Sequence, residues 1–187
     1  MTNYTYISSV DYINNLTFDY VETYSFQRGS DYEENLKVIK SEYNRLKVRK
    51  ERRNNLTERE QLRFSELESL LSFMLLINDK GQFHPSSKKT SSFQNGNAIV
   101  EQLINILKTE VRNIPMWMCA PIYRDAIVFY NQAAEIVSTL HVCLSCEYMV
   151  TKEFHHVNGD NEMYKLLKTF FIDIGHDVED ATKFLLK

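Results

Sequence analysis

Two short runs of β-forming residues in the second half of the chain constrain the fold more than any other feature. Residues 126–130 and 136–142 are rich in β-branched and aromatic side chains, and a short polar stretch separates them. This pattern predicts an antiparallel β-hairpin. In such a hairpin the numbers of paired residues add up to a constant, and a turn centred near Ala133 puts that constant at about 266.

The predicted hairpin gathers the cysteines of the chain at its open end. All three cysteines lie in the segment from Cys119 to Cys146. With this register Cys146 faces Ala120 and becomes a neighbour of Cys119, whereas Cys143 faces Tyr123, about one strand step away. The sequence therefore predicts a cluster of thiols from residues that are far apart along the chain.

This cluster depends on a bend in the chain. Side chains of a regular strand alternate between its two faces, so Cys143 and Cys146 would point in opposite directions if the strand continued through them. All three thiols can meet only if the chain bends at Leu144 and Ser145.

Three hypotheses account for the cysteines. The first is a zinc site, because tetrahedral zinc favours thiolates and a Cys-x-x-Cys at a bend is a common half-site. Its predicted ligands are Cys119, Cys143, Cys146 and His141, with His155 or His156 as alternatives for the fourth position. The second hypothesis is a redox pair formed by Cys143 and Cys146. The third is that the thiols are small buried core residues.

The composition is that of an ordinary globular domain. The chain has 187 residues, of which 43% are hydrophobic and 25% are charged, with a formal net charge of −3. We expect one domain over residues 1–187. No apolar run approaches the ~20 residues that span a bilayer. The first residues do not resemble a signal peptide. An odd number of cysteines argues against a secreted disulfide framework. We therefore expect a cytoplasmic protein without a membrane partner, and the net charge does not favour nucleic acid.

The remaining patterns predict an α+β domain. Residues 16–26 alternate between aromatic and other side chains, which predicts a strand that pairs with the hairpin. Capping boxes at residues 30–33 and 57–60 each open a helix, and the two helices are predicted to form an N-terminal helical hairpin. These and further helices are expected to pack on one face of a small antiparallel sheet centred on the 123–144 hairpin.

Local signals also predict the ends of several elements. The apolar pattern of the helix that opens at residue 57 continues to Ile77. Asn97 can cap a further helix. Residues 155–160 are expected to form a polar turn, and a short last helix is expected to start at Asp177.

Two segments and one charged pair are predicted to lie at the surface. Residues 1–15 are expected to be irregular or to form a short helix. Residues 81–97 are rich in Ser, Gly, Pro and Asn and are expected to form a flexible loop. Arg124 and Asp125, at the start of the first hairpin strand, are compatible with a polar site, but such residues more often form a surface pair.

The tip of the predicted helical hairpin is basic. Its candidate partner-binding residues are Arg45, Arg49, Lys50, Arg52 and Arg53. Such a group of cations can contact phosphate or an acidic partner. The alternative interpretation is a solvated helix end, where cations are favourably placed near the carboxyl terminus of the helix dipole.

The cysteine-bearing hairpin resembles one found in small uncharacterised bacterial proteins. The resemblance rests on Cys119-Ala-Pro121, on the strand that follows, and on Cys143-Leu-Ser-Cys146 closing the next strand, and it covers about residues 115–150. Some of those proteins have a histidine soon after the proline, where this chain has Ile122, Tyr123 and Arg124. The resemblance implies the hairpin and carries no activity with it.

The function expected from the sequence is non-enzymatic binding of an unidentified protein partner, with a structural zinc site held by the cysteines. One alternative is a thiol-redox or metal-dependent enzyme that uses Cys143 and Cys146. A second alternative is a binder of nucleic acid or of an acidic partner through the basic tip. No Gly-rich phosphate loop and no hydrolase, zinc-protease or calcium-loop motif occurs in the sequence.

Overall fold

The computed structural model describes residues 6–53, 56–78, 80–116 and 118–178. These residues form an α+β fold with a seven-stranded sheet. The strands are β1 (Tyr6–Ser8), β2 (Tyr20–Ser25), β3 (Lys88–Gln94), β4 (Asp125–Tyr130), β5 (Ile136–Cys143), β6 (Tyr148–Val150) and β7 (His156–Asn158). The helices are α1 (Ser9–Asn14), α2 (Ser30–Arg53), α3 (Glu58–Ser72), α4 (Ala98–Leu107) and α5 (Asn161–Asp173).

The predicted hairpin is present as strands β4 and β5 at the centre of the sheet. The strand order is β1-β7-β6-β5-β4-β2-β3. Ile127 pairs with Leu140 and Ala126 with His141, so the register differs from the predicted one by a single residue. Strand β2 pairs antiparallel with β4, as its alternating sequence predicts. The sheet is mixed rather than purely antiparallel, because β1 pairs parallel with β7.

One face of the sheet is covered by helices α1, α4 and α5, and we call it the helix-covered face. Alternate strand residues point into this core, among them Val21, Ile127, Phe129, Leu140 and Val142. Helix α4 starts where its sequence predicts, since the Asn97 side chain accepts a hydrogen bond from the backbone N–H of Ile99. The helices pack on this face because the strand residues at its centre are apolar.

The opposite face, which we call the loop-covered face, is closed by irregular chain. Residues 75–77, which follow α3, pack with Phe26 and Tyr123 against the other set of alternate strand residues. Those strand residues are Tyr24, Ala126, Val128, Tyr130, Cys143 and Val150. Both faces of strand β4 are therefore covered, and every one of its residues is buried.

Helices α2 and α3 contact each other through a small core of their own, made of Leu46, Phe64 and Leu67. The capping box predicted at Thr57 and Glu60 is present at the start of α3. The predicted N-terminal position of this helical hairpin is not confirmed, because β1, α1 and β2 precede it. Helix α3 ends at Ser72 and does not continue to residue 77 as its apolar pattern suggests, because residues 75–77 cover the sheet instead.

Regular structure also occurs in segments expected to be loops. Residues 88–94, in the predicted flexible loop, form strand β3, which pairs with β2 through its backbone. Most side chains of β3 are polar, so its sequence resembles that of a loop. Residues 156–158, expected to be a turn, form β7. The short helix expected before residue 15 is α1. Most of the last predicted helix, after Asp177, lies outside the described residues.

No helix in the described part of the chain is long and apolar enough to cross a membrane. The cytoplasmic location stays a prediction.

Candidate functional site

A cleft opens on the loop-covered side of the molecule, between the segment after α3 and the turn that joins β6 to β7. One half, of about 900 Å³, is lined by the end of α3, by residues from 73–78, by Lys80 and Gly81, and by residues 152–154. The other half, of about 630 Å³, reaches the open end of the β4–β5 hairpin. Met74, Glu153 and Phe154 line both halves, so the two cavities adjoin. The sequence contained no pattern that predicted this cleft.

The half of the cleft next to the hairpin contains a disulfide between Cys119 and Cys146. The two sulfurs are 2.04 Å apart and the two Cα atoms 6.3 Å apart. Cys119 is exposed and lines the cleft, whereas Cys146 is buried. The prediction that these residues are neighbours is confirmed, and so is the approach of Cys146 to Ala120, since its Sγ lies 3.9 Å from the Ala120 carbonyl oxygen.

Cys143 is a free and buried thiol. Residues 144–147 form the turn between β5 and β6. Cys143, the last residue of β5, pairs with Tyr148, the first residue of β6. The turn reverses the chain, so that Cys143 and Cys146 both pack into the core of the loop-covered face, while Leu144 between them packs against the other core. The bend on which the thiol cluster depends is therefore present. The structure pairs Cys146 with Cys119 and not with Cys143.

His141 lies directly behind the wall of the cleft. Its ring contacts Phe26 and Tyr123 edge to face, and its Nδ1–H donates to the Val150 carbonyl at 3.3 Å. Tyr123 and Val150 are themselves cleft residues. Burial, opposed by the hydrogen bond to Val150, lowers the pKa of His141 to about 4. The ring is therefore neutral at pH 7, and its Nε2 is a buried acceptor without a hydrogen-bond partner among the described residues.

The residues predicted as zinc ligands do not come together in one group. Cys119 and Cys146 are bonded to each other, and His141 is held by Val150. The two alternative ligands, His155 and His156, line the same half of the cleft as Cys119. Within the described residues no three His, Cys, Asp or Glu side chains are arranged to hold a metal ion. Zinc binding stays a prediction.

A second buried polar group lies on the helix-covered face. Arg28 donates two hydrogen bonds to the Asp125 carboxylate, at 2.8 and 2.7 Å. His176 Nδ1 is 2.7 Å from the same carboxylate, and its Nε2 is 2.7 Å from the Thr90 hydroxyl, which also contacts Thr23. The prediction of a surface pair between Arg124 and Asp125 is wrong, because Asp125 is only 1% exposed and its ion-pair partner is Arg28.

The order Thr–His–Asp in this network is that of a catalytic triad. However, the His176 side chain is completely buried, and neither half of the cleft is lined by these residues. A nucleophile and its base need access to a substrate. We therefore interpret the network as a structural one that ties the chain after α5 to strands β2, β3 and β4. No local sequence signal links Arg28, Asp125 and His176, which are brought together only by the fold.

The basic tip is partly neutralised within the helical pair. Arg49 forms an ion pair with Glu60, and the Lys50 ammonium lies 4.5 Å above the Phe64 ring. Arg45 and Arg52 are exposed. Arg53 is the last residue of α2, and its side chain lies outside the described residues. Partner binding by these residues stays a prediction.

Comparison of the chain with protein-family models, with curated proteins and with solved structures finds no match. The chemistry of the site itself is therefore the basis for a functional proposal.

Proposed function

We propose that this protein carries out thiol–disulfide exchange at the bond between Cys119 and Cys146. The observation that carries the proposal is the asymmetry of this bond. One sulfur belongs to an exposed residue on the wall of a cleft, and the other belongs to a buried residue. Exchange requires that a thiolate reach one sulfur of a disulfide, and accessible disulfides are the ones that tend to be labile, regulatory or catalytic.

Because Cys119 is the exposed residue of the pair, its sulfur is the one that a reductant attacks first. The steps below take a dithiol as the reductant. A thiolate of the dithiol attacks Cys119 Sγ, the bond between the two cysteines breaks, and Cys146 leaves as a thiolate that takes up a proton. The second thiol of the reductant then attacks its own sulfur in the mixed disulfide and releases Cys119. The dithiol is oxidised to a disulfide, and the protein gains two electrons as two thiols. The reverse sequence oxidises a substrate dithiol.

The cleft supplies a surface on which a thiol-bearing polypeptide can lie while it reacts. Met74 and Phe154 on its walls are about half exposed, at 47% and 52%. Pro121 lines it beside the disulfide, and Ile122 next to it is 49% exposed. Exposed apolar side chains grouped around a cleft are typical of a site that binds another molecule. This proposal keeps partner binding, as the sequence suggests, and adds a reaction at the bound partner.

Equilibration of the oxidised protein with mixtures of reduced and oxidised dithiothreitol tests the proposal. We expect a reversible conversion between one and three free thiols, measured by thiol titration after acid quenching and denaturation. The matched variants are Cys143→Ala, which keeps the bond, and the double variant Cys119→Ser/Cys143→Ala, which keeps Cys146 as its single cysteine. The double variant should show no thiol change with the dithiol ratio. Three free thiols in the protein before any reduction would rule out the proposed function.

A structural zinc site in the reduced protein is a second candidate. The observation that favours it is that His155 and His156 line the same half of the cleft as Cys119, so that the reduced Cys119 thiol and two imidazoles border one space. Elemental analysis of protein purified under reducing conditions without chelator tests it. Stoichiometric zinc that is lost in Cys119→Ser and in the His155→Ala/His156→Ala double variant supports the site. Zinc below one equivalent for each chain contradicts it.

A further inference from the structure

We propose that Cys143 is an internal exchange partner of the Cys119–Cys146 disulfide, so that the oxidised protein can present a free Cys119 thiol in the cleft without an external reductant. This inference rests on the proposed function and assigns a residue role within the same site. It follows from the place of Cys143 at the end of β5 next to the turn, from its free thiol and from its burial in the same apolar core as Cys146.

Cys143 and Cys146 are three residues apart and share one core. Cys143 is the last residue of β5, residues 144–147 connect β5 to β6, and the side chains of both cysteines enter the same apolar core. Where the chain turns, residues three apart lie within about 7 Å at their Cα atoms. Disulfides span about 4.4 to 6.8 Å at Cα. A bond between Cys143 and Cys146 is therefore compatible with a turn of this kind.

The reaction is a redox-neutral isomerisation. Cys143 loses its proton and attacks Cys146 Sγ, a bond forms between these two sulfurs, and the bond between Cys146 and Cys119 breaks. Cys119 leaves as a thiolate and takes up a proton. The number of disulfides and free thiols is unchanged, so no oxidant or reductant is consumed. Since the thiolate is the attacking form, the exchange should become faster as pH rises.

Isomerisation moves the free thiol from a buried residue to an exposed one. Cys143 is 1% exposed, and its Sγ lies 3.4 Å from the Ser145 hydroxyl. Cys119 is exposed on the cleft wall, near the half-exposed Ile122 and the fully exposed Met118. A thiol at Cys119 can attack a disulfide of a bound polypeptide, whereas a thiol at Cys143 cannot reach one. Cys143 thus gives the oxidised protein a nucleophile in the cleft.

Alkylation of the folded, non-reduced full-length chain with iodoacetamide, followed by trypsin digestion without reduction and mass spectrometry, tests this inference. Cleavage after Arg112, Arg124 and Lys152 places Cys119 in one peptide and the other two cysteines together in the next peptide. Without isomerisation the two peptides stay linked by a disulfide. With isomerisation the first peptide carries the alkyl group on Cys119, and the second contains an internal disulfide.

We expect the wild-type protein to accumulate the label on Cys119 as the incubation continues, and faster at higher pH. Label on Cys143 alone, with the two peptides still linked, overturns the inference. So does the absence of label on the folded protein when the denatured protein takes up one equivalent. Either result leaves the proposed disulfide chemistry intact.

The variant Cys143→Ala is the matched control, because a small apolar side chain suits the buried position, and Cys143→Ser serves if the alanine variant is poorly folded. Both should remain unlabelled with the two peptides linked, and their thermal unfolding midpoints show whether they are folded. Label on Cys119 in a folded Cys143 variant means that Cys119 is not in a disulfide, and this result overturns the proposed function together with the inference.

Discussion

The two faces of the central sheet are built from alternate residues of the same strands, yet they differ in how they are closed. On the helix-covered face Arg28 and His176 each hydrogen-bond to the Asp125 carboxylate, although Arg28 Nε has no hydrogen-bond partner among the described residues. On the loop-covered face the buried Nε2 of His141 has no partner among the same residues, and the cleft and the disulfide lie beside it. The first face has the features of a stable core, and the second has the features of a site that reacts or binds.

The difference has a physical cause. A helix covers a sheet with a continuous apolar stripe and satisfies its own backbone groups, so it leaves little space for solvent. Irregular chain such as residues 73–78 covers a sheet unevenly and leaves the cleft open. Functional sites are commonly found where loops meet a rigid scaffold. We therefore expect substitutions on the helix-covered face to affect stability first, and substitutions on the loop-covered face to affect thiol chemistry first.

The largest effect is expected for Phe129→Ala on the helix-covered face. The ring is completely buried and makes edge contacts with Phe18 and Tyr12, with centroids 5.0 and 6.2 Å away. Its removal should lower the free energy of unfolding by about 4 kcal/mol. The neighbouring Val128→Ala on the other face should cost about 2 kcal/mol. Urea denaturation measures both, and a loss below about 2 kcal/mol for Phe129→Ala would contradict tight packing of the helix-covered face.

Asp125→Asn tests whether the polar network stabilises the helix-covered face. The substitution leaves the Arg28 side chain, which is only 11% exposed, without its counter-charge. We expect a loss of about 3 kcal/mol in the free energy of unfolding. The control is Glu22→Gln, whose partner Lys89 is 53% exposed, and it should cost less than about 1 kcal/mol. A loss in Asp125→Asn no larger than in this control would mean that the network does not stabilise the fold.

The loop-covered face should make stability depend on pH. Burial lowers the pKa of His141 from 6.5 to about 4, and burial likewise lowers the pKa of His84 to about 4. Between these values the unfolded chain binds protons that the folded chain does not bind. Stability should therefore be complete above pH 6.5 and fall as pH decreases toward 4, by at most about 1.4 kcal/mol per pH unit for each histidine. Urea denaturation at a series of pH values measures this slope.

The variant His141→Phe is the control for this pH dependence, because an aromatic ring suits the contacts with Phe26 and Tyr123. Its slope between pH 4 and 6.5 should be smaller than that of the wild-type protein. An unchanged slope would assign the effect to other groups.

The smallest effects are expected at the basic tip, which belongs to neither face. Reversal of the exposed Arg45 and Arg52 to Glu should change the free energy of unfolding by less than about 0.5 kcal/mol. Reversal of Arg49, which pairs with Glu60, should cost about 1 kcal/mol or less. The same variants test the predicted partner binding in a pull-down assay. If they bind as the wild-type protein does, the tip is a solvated helix end.

Local patterns were sufficient to predict the elements that depend on neighbours in the sequence. The β4–β5 register was predicted to within one residue, because alternation and turn position set it. The capping box at Thr57 and the cap at Asn97 are likewise local. Strand β3 was missed, because its polar residues resemble a loop and only pairing with β2 makes it a strand.

The candidate site was predictable only in part for the same reason. The approach of Cys119 to Cys146 follows from hairpin register, which the sequence contains. The choice of this pair over Cys143 and Cys146 depends on the turn at residues 144–147. The cleft depends on how residues 73–78 and 152–154 lie beside each other, and no periodicity in the sequence predicts that arrangement.

By itself the sequence determined an α+β chain with a central hairpin that gathers its cysteines, because β propensity, alternation and register act between near neighbours. The tertiary structure decided which face is sealed by helices and which is left open. It also placed Arg28 and His176 on Asp125, and one sulfur of the disulfide on a cleft wall. These outcomes depend on contacts between residues far apart in the chain. Such contacts form only when the whole chain buries its apolar surface in one arrangement.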